Sequence, residues 1–575
     1  MTHHYTVIHG GVVLTLDGAL PTDRSSVAAG VPDAAGRRAT AIAYAHERIL
    51  AVGSDDEILP LAGPDSDVFD LRGLVVVPGF QDAHAHPLGE GIDAGRPLAA
   101  GDSLRAGMAV LSDAGSRLEP DAWLVARYDQ TRWRERRHPT RDDLDRAIPD
   151  RPVVIGHVSG HAAAANSLAL AIAGVSAATD DVPGRAVLDR DERGEPTGVV
   201  YGADPMLPFA DVLPTPAAKE LVAALRRASA GLAADGITAT ADADLGMVAG
   251  LEGDVGAYVA AAGKGRFVQR IALMPGLVRL ARADEDPPTP ADIASLIPEA
   301  LRDRLRVQAC KLKADGALTT RTALLRDDYA DEAGWRGRAA HEPGALVQRM
   351  SRADRAGWQV CTHAIGDAAI DEVLDALESI ARGGGAAGSP AAGRSDGGLT
   401  GDRRYRIEHA MLLDDATIAR MARLGAVASL QPEFVAWAGD TYLARLGTER
   451  ASRMNRYASL LAAGIPVAFG SDRPVVPGAP LDGIRATLRH AGPSGRRLAP
   501  GESPSPAEAL HAYTAGAAYA AFDEDETGRI AVGMRTDLTI LSADPTDPGA
   551  WRSGAEAPRI VATIVGGDVV HGDLE

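Results

Sequence analysis

The sequence predicts an α/β protein: a (β/α)8 (TIM) barrel, a small β-sandwich built from both chain termini, and a subdomain inserted after the first barrel strand. Three observations predict it. Eight apolar stretches between residues 73 and 472 alternate with amphipathic helical patterns. Such alternation implies a parallel sheet, and eight units are the number that closes one into a barrel. The segments 5–18 and 528–570 read instead as short strands and turns. Finally, residues 88–236 separate the first apolar strand from the second and are too many for a loop.

Taken in order, residues 5–18 alternate and turn like a hairpin, 19–38 form a loop insertion rich in Ala, Gly, Ser, Pro and Asp, and 41–52 and 68–71 resume short strands. The predicted barrel strands are 73–86, 237–243, 270–274, 307–314, 359–363, 405–409, 426–431 and 466–472. Helical spacing of apolar residues marks 291–301, 344–356, 368–381, 415–424 and 457–463 between them, and 217–234 within the insertion. The Gly/Ala/Ser run 383–402 reads as a surface excursion. The predicted division is a sandwich of 1–72 with 525–575, and a barrel over 73–524 roofed by 88–236.

In such a barrel the chemistry sits at the carboxyl ends of the strands. The first strand runs into Pro78-Gly79 and then His84 and His86. Residues i and i+2 of extended backbone point to one side, so both imidazoles can face one ion. Further along, strand ends carry Lys311, His363, His409 and Asp472. Either His363 or His409 alone reads more readily as a hydrogen-bonded core histidine than as a ligand; the conjunction of six suitable residues at strand ends is what points to a metal. The lysine is informative because only four of the 59 basic residues are lysines: Lys219, Lys264, Lys311 and Lys313. An amine can react with CO2 to give an anionic carbamate that ligates metal, and arginine cannot.

These pieces resemble the amidohydrolase superfamily, in particular its amidohydrolase-3 (YtcJ-like) branch. The matching motifs are Pro78-Gly-Phe-Gln-Asp-Ala-His-Ala-His86, Lys311-Leu-Lys-Ala-Asp-Gly316, His363-Ala-Ile-Gly-Asp367, Ile407-Glu-His409 and Gly470-Ser-Asp472, with Gly160-His161 and Asn166-Ser167 inside the insertion. The resemblance implies one or two divalent ions, zinc foremost with Mn2+, Fe2+ or Co2+ as alternatives. Its ligands are then His84, His86, carboxylated Lys311, His363, His409 and Asp472. Asp472 doubles as general base for a metal-bound hydroxide, and His161 is the first candidate to stabilise the oxyanion. Arg132 and Trp133, with His161, are the candidate substrate contacts supplied by the insertion. The implied reaction is hydrolysis of the C–N bond of a small amide, such as an N-substituted formamide or an N-acyl amine. Cyclic-amide hydrolysis or hydrolytic deamination is the alternative, and a metal-free scaffold the remote one.

Composition narrows the classes further. A net charge of −19 with no basic stretch argues against a nucleic-acid or anionic-membrane partner. No apolar run is long enough to span a bilayer and no leader is evident, so the cytoplasm is the expected compartment. Two cysteines, Cys310 and Cys361, cannot build a disulfide framework or a thiolate zinc site. The expected partner is a small-molecule substrate, and homodimerisation is the assembly the resemblance allows.

Overall fold

The computed structural model describes residues 5–18, 36–282, 284–383 and 402–574. The predicted additions at 19–38 and 383–402 lie, apart from their end residues, outside the described residues.

Nine parallel strands follow one another along the chain, four in one ladder and five in a second. The first ladder pairs β1 (Phe80–Ala85), β2 (Ile237–Leu245), β3 (Arg270–Pro275) and β4 (Leu305–Val307) in that order. Past Gln308 the chain resumes as β5 (Ala309–Lys313), which opens the second ladder. There it pairs in sequence with β6 (Gln359–Ala364), β7 (Arg406–His409), β8 (Val427–Leu430) and β9 (Val467–Phe469). The ladders also meet beyond β9, where the Asp472 amide donates to the His84 carbonyl at 2.6 Å and the His86 amide to the Arg473 carbonyl at 2.9 Å. Those two bonds bring the last strand end alongside the first.

The helices between strands present apolar stripes to this sheet. In α1 (Asp367–Gly383), Ile370, Val373, Leu374 and Leu377 recur at helical spacing and are all buried. Each such side chain contributes about 1.5–3 kcal/mol of burial. α2 (Asp415–Leu424) begins with Asp414 accepting from the Thr417 amide and ends at Gly425 with φ 69°, a left-handed C-cap that glycine adopts without a side-chain clash.

Both termini build the flanking sheets. One orders Arg48–Gly53, Ala41–Ala45, Thr6–His9 and Asp67–Asp70; the other orders Asp568–Gly572, Ile560–Val565, Leu538–Leu541, Val75–Pro78, Val12–Leu14 and Arg38–Ala39. Ile8, Ile42, Val76, Ile540 and Ile564 meet in one core between them. The apolar run read as the start of the first barrel strand therefore divides. Val75–Pro78 pairs antiparallel with Leu538–Leu541, and the chain passes to β1 at Gly79. A side chain at 79 would collide with Thr238 Oγ1 at 2.1 Å, so the crossover requires glycine.

Within 88–236, a six-stranded sheet orders Val187–Arg190, Pro196–Tyr201, Ala162–Ala165, Val153–His157, Leu124–Tyr128 and Leu98–Ala99. The helix Ala218–Ala234, read from the sequence as part of the insertion, instead buries Leu221, Leu225 and Leu232 in the main core with the strands.

Candidate metal centre

His84 stands at the centre of the strand-end cluster. Its Nδ1 lies 2.5 Å from Glu408 Oε2, so its Nε2 is left to face Lys311 Nζ at 2.9 Å and Asp472 Oδ1 at 3.4 Å. His86 turns its Nε2 to the same Asp472 oxygen at 3.0 Å. His409 closes the group, its ring 4.9 Å from that of His84 and 4.4 Å from that of His363. His161 reaches in from the insertion, 4.9 Å from the His363 ring.

Backbone strain aims two of these groups. His409 and Ala410 have φ of 72° and 39°, and Asp472 has φ 57°. Left-handed backbone costs roughly 1–3 kcal/mol at a residue other than glycine and persists only where the surroundings enforce it. Here it ends β7 and lets His409 join His84 although the neighbouring Glu408 also bonds to that ring. Asp82 braces the other side: it accepts from the Ser471 amide at 2.9 Å and hydroxyl at 2.5 Å and from the His84 amide at 3.2 Å, holding the first and last strand ends together.

Charge is concentrated where water is excluded. Burial opposes the ionised form of Asp472, but hydrogen bonds from His84 and His86 outweigh it and hold the carboxyl well below the usual range. Burial pulls the Lys311 ammonium down against the raising influence of Glu408 and Asp472, favouring the neutral amine, which is the form that attacks CO2. Burial also pushes His363 down to about 3, so its imidazole is neutral and able to ligate.

The donor chemistry fits a divalent cation. Donor atoms of His84, His409 and Asp472 all lie within 4.8 Å of one another. The distal nitrogens of both histidines are occupied, His84 by Glu408 and His409 by Gln431 at 2.6 Å, and this outer ring orients Nε2 inward as metal-ligating histidines require. Imidazole, carboxylate and an amine competent for carbamate formation are suited to zinc and its neighbours. His363 fits through Nδ1, because its Nε2 is taken by the Gly316 carbonyl at 3.0 Å.

Of the predicted site residues, the structure brings His84, His86, Lys311, His363, His409, Asp472 and His161 together. It puts Trp133 elsewhere: that indole is 1% exposed in the apolar core of the insertion, 5.9 Å from the Tyr128 ring, and has no face free for a ligand. An aromatic beside an arginine in a lid suggested recognition; the apolar strand behind it won. Arg132 is two-thirds exposed, bonded to Asp129 at 3.3 Å, on the wall of a separate 260 Å³ cavity with Trp437 and Arg127. Glu408 and Gln431 went unread in the sequence. Period-two reading of Arg406-Ile-Glu408 could have found the first, since Arg406 Nε bonds Glu408 at 2.6 Å along the strand face. Phe434 stacks on His409 at 5.9 Å and 11° and closes one side of the cluster.

The fold and the cluster define a class: an α/β protein with a histidine–carboxylate–lysine centre at the carboxyl ends of parallel strands. The chain belongs to the amidohydrolase family, whose model matches residues 67–571. It is 30% identical over 550 residues to the putative amidohydrolase YtcJ of Bacillus subtilis, covering 93% of this chain and 96% of that one. It is 29% identical over 527 residues to the N-substituted formamide deformylase of Arthrobacter pascens, covering 90% and 92% respectively. Among solved structures, an uncharacterized metal-dependent hydrolase from Pyrococcus horikoshii shares the fold at TM-score 0.69 and 21% identity, covering 94% of this chain and 98% of that one. Among the described residues, no helix is long and apolar enough to cross a membrane.

Proposed function

We propose that the protein hydrolyses the C–N bond of a small amide, an N-substituted formamide or N-acyl amine, with one or two divalent ions held by His84, His86, carboxylated Lys311, His363, His409 and Asp472. In this reading the two ladders form one closed barrel, the terminal sheets form a β-sandwich, and the insertion roofs the strand ends. The observation that carries it is the convergence of imidazoles, carboxylate and buried amine around His84.

A divalent ion held by those residues would lower the pKa of a bound water toward neutrality and polarise a carbonyl. The chain's own groups do the rest. Asp472, ionised and hydrogen-bonded by two imidazoles, accepts a proton as water oxygen bonds to the carbonyl carbon. It returns that proton to nitrogen as the C–N bond breaks, leaving a carboxylic acid and an amine. His161 has a buried Nδ1 without a partner beside His363, and supplies a hydrogen bond to the carbonyl oxygen. The rings of His409 and Phe434 exclude water from one side. Likeness to a formamide deformylase supports formamides as the first substrates to try.

The test is turnover of formanilides and N-acyl amines, with cyclic amides and amino-purines alongside, by zinc- or manganese-loaded protein and its Asp472→Asn variant. Hydrolysis of the open-chain amides, lost by at least a hundredfold in the variant while metal content holds, is expected. Turnover confined to the rings or the amino-purines, or wild-type rates from Asp472→Asn, overturns the reading.

A further inference from the structure

Beside Lys311 the roof and the strand ends enclose a small cavity of about 30 Å³. Lys313, one side-chain repeat beyond Lys311 on β5, reaches into it. Its Nζ lies 2.8 Å from Asp244 Oδ2 and donates to the Ala203 carbonyl at 3.0 Å, which leaves one N–H uncommitted. Arg279 lies opposite, only loosely engaged, 3.9 Å from both Asp244 and Asp204. Arg185 comes from the insertion and bonds Asp204 at 2.9 Å. Arg349 lies outside the cavity wall, and burial together with the Arg185 charge lowers its guanidinium from the usual range.

Three cations, Lys313, Arg279 and Arg185, thus meet two carboxylates, in a chain whose overall charge is −19. An excess of positive charge that is partly withdrawn from water is costly unless an anion compensates it. One further observation points the same way: Arg279 Nε is buried on the cavity wall and makes no hydrogen bond. The backbone is also committed to this arrangement. Asp244 has φ 90°, strained for a residue with a side chain, and its Oδ1 occupies the space a Cβ at Gly276 would need, 2.1 Å away.

We propose that this cavity is an anion subsite of the active site, and that the amide cleaved at the neighbouring metal centre carries a carboxylate that docks on Lys313, Arg279 and Arg185. N-acyl amino acids are the simplest members of that class. The opposite wall of the strand-end region is apolar, with Phe434, Tyr442, Met411 and Val476 packed in one cluster, so the anion has one favourable side. This inference rests on the amide-hydrolase reading for its chemistry, but not for its binding.

The experiment compares N-formyl-leucine with its methyl ester on zinc-loaded protein, by turnover and by calorimetric binding, in wild type and Arg279→Gln. The acid is expected to bind, and to be turned over in kcat/KM, at least tenfold better than the ester. Arg279→Gln is expected to cut that ratio about tenfold, and Arg349→Gln, which breaks no ion pair, to cut it less. Equal handling of acid and ester overturns the subsite even if both are hydrolysed. A preference for the acid that survives in both variants overturns it too, since the carboxylate is then bound by the metal. If neither compound is hydrolysed yet the acid binds tighter and Arg279→Gln abolishes the difference, the subsite stands and the amide reading falls. Thermal unfolding of each variant, within a few degrees of wild type, verifies that folding is intact.

Discussion

Glu408→Gln probes how the metal centre is held in register. Glu408 is fully buried and accepts from Arg406 Nε at 2.6 Å and Nη2 at 3.0 Å, while its Oε2 lies 2.5 Å from His84 Nδ1. The amide keeps the shape and removes the anion. Two effects separate. Arg406 becomes a buried cation without its counterion, which costs about 3–5 kcal/mol when one partner of a buried pair is lost. The Ala83 carbonyl at 2.7 Å and Ser429 Oγ at 3.2 Å still accept from Arg406 and place the loss near the lower figure. His84 loses the carboxylate that fixes its ring, and outer-ring changes of this kind weaken metal binding about 10–100-fold. Metal present at about 100 times its dissociation constant stabilises a fold by about 2.7 kcal/mol, and a site weakened about 10–100-fold keeps only about 1.4–0.4 kcal/mol of that, so the zinc-induced rise in Tm shrinks in the variant. Chelator competition for zinc, at a temperature where circular dichroism shows the variant folded, is the assay. A zinc affinity within twofold of wild type refutes the reasoning, whatever happens to Tm.

Trp133→Ala should destabilise the protein by about 3–5 kcal/mol, the usual loss for a buried tryptophan, and leave KM for any amide unchanged; denaturant unfolding and steady-state kinetics read the two effects. A raised KM in a stable variant returns Trp133 to the substrate pocket. Glu433 supplies a pH prediction: burial raises its carboxyl to about 7, with Asp482 adding to the rise, and its Oε1 has no partner. A folded-state pKa above the unfolded value of about 4.3 means stability that is present at low pH and lost as pH rises through about 7. Glu433→Gln should therefore raise the unfolding free energy by about 1–3 kcal/mol at pH 8 and hardly change it at pH 4. An equal effect at both pH values contradicts the assignment.

The clustering of His84, His86, Lys311, His363, His409 and Asp472 was legible because each sits in a motif at the end of a predicted strand. Their bracing was not. Gln431 follows an ordinary strand in Ser429-Leu-Gln-Pro432 and acquires its role only when β8 lies beside β7, giving the 2.6 Å contact with His409. Val75–Pro78 and β1 read as one strand, 73–86, in the sequence, and only pairing with Leu538–Leu541, far along the chain, assigns the first half to another sheet. The amphipathic stripe of Ala218–Ala234 was visible, but not which core it faces. Trp133 shows the converse. Residue type suggested a ligand contact, and burial against Tyr128 settled its place in the insertion core.

Anomalous diffraction at the zinc edge, from crystals grown with zinc, addresses the metal centre itself. A peak among His84, His409 and Asp472, with density extending from Lys311 Nζ toward it, is the predicted result. Zinc-supplied crystals with no peak at that position, and with those side chains hydrogen-bonded only to water and to one another, would contradict it.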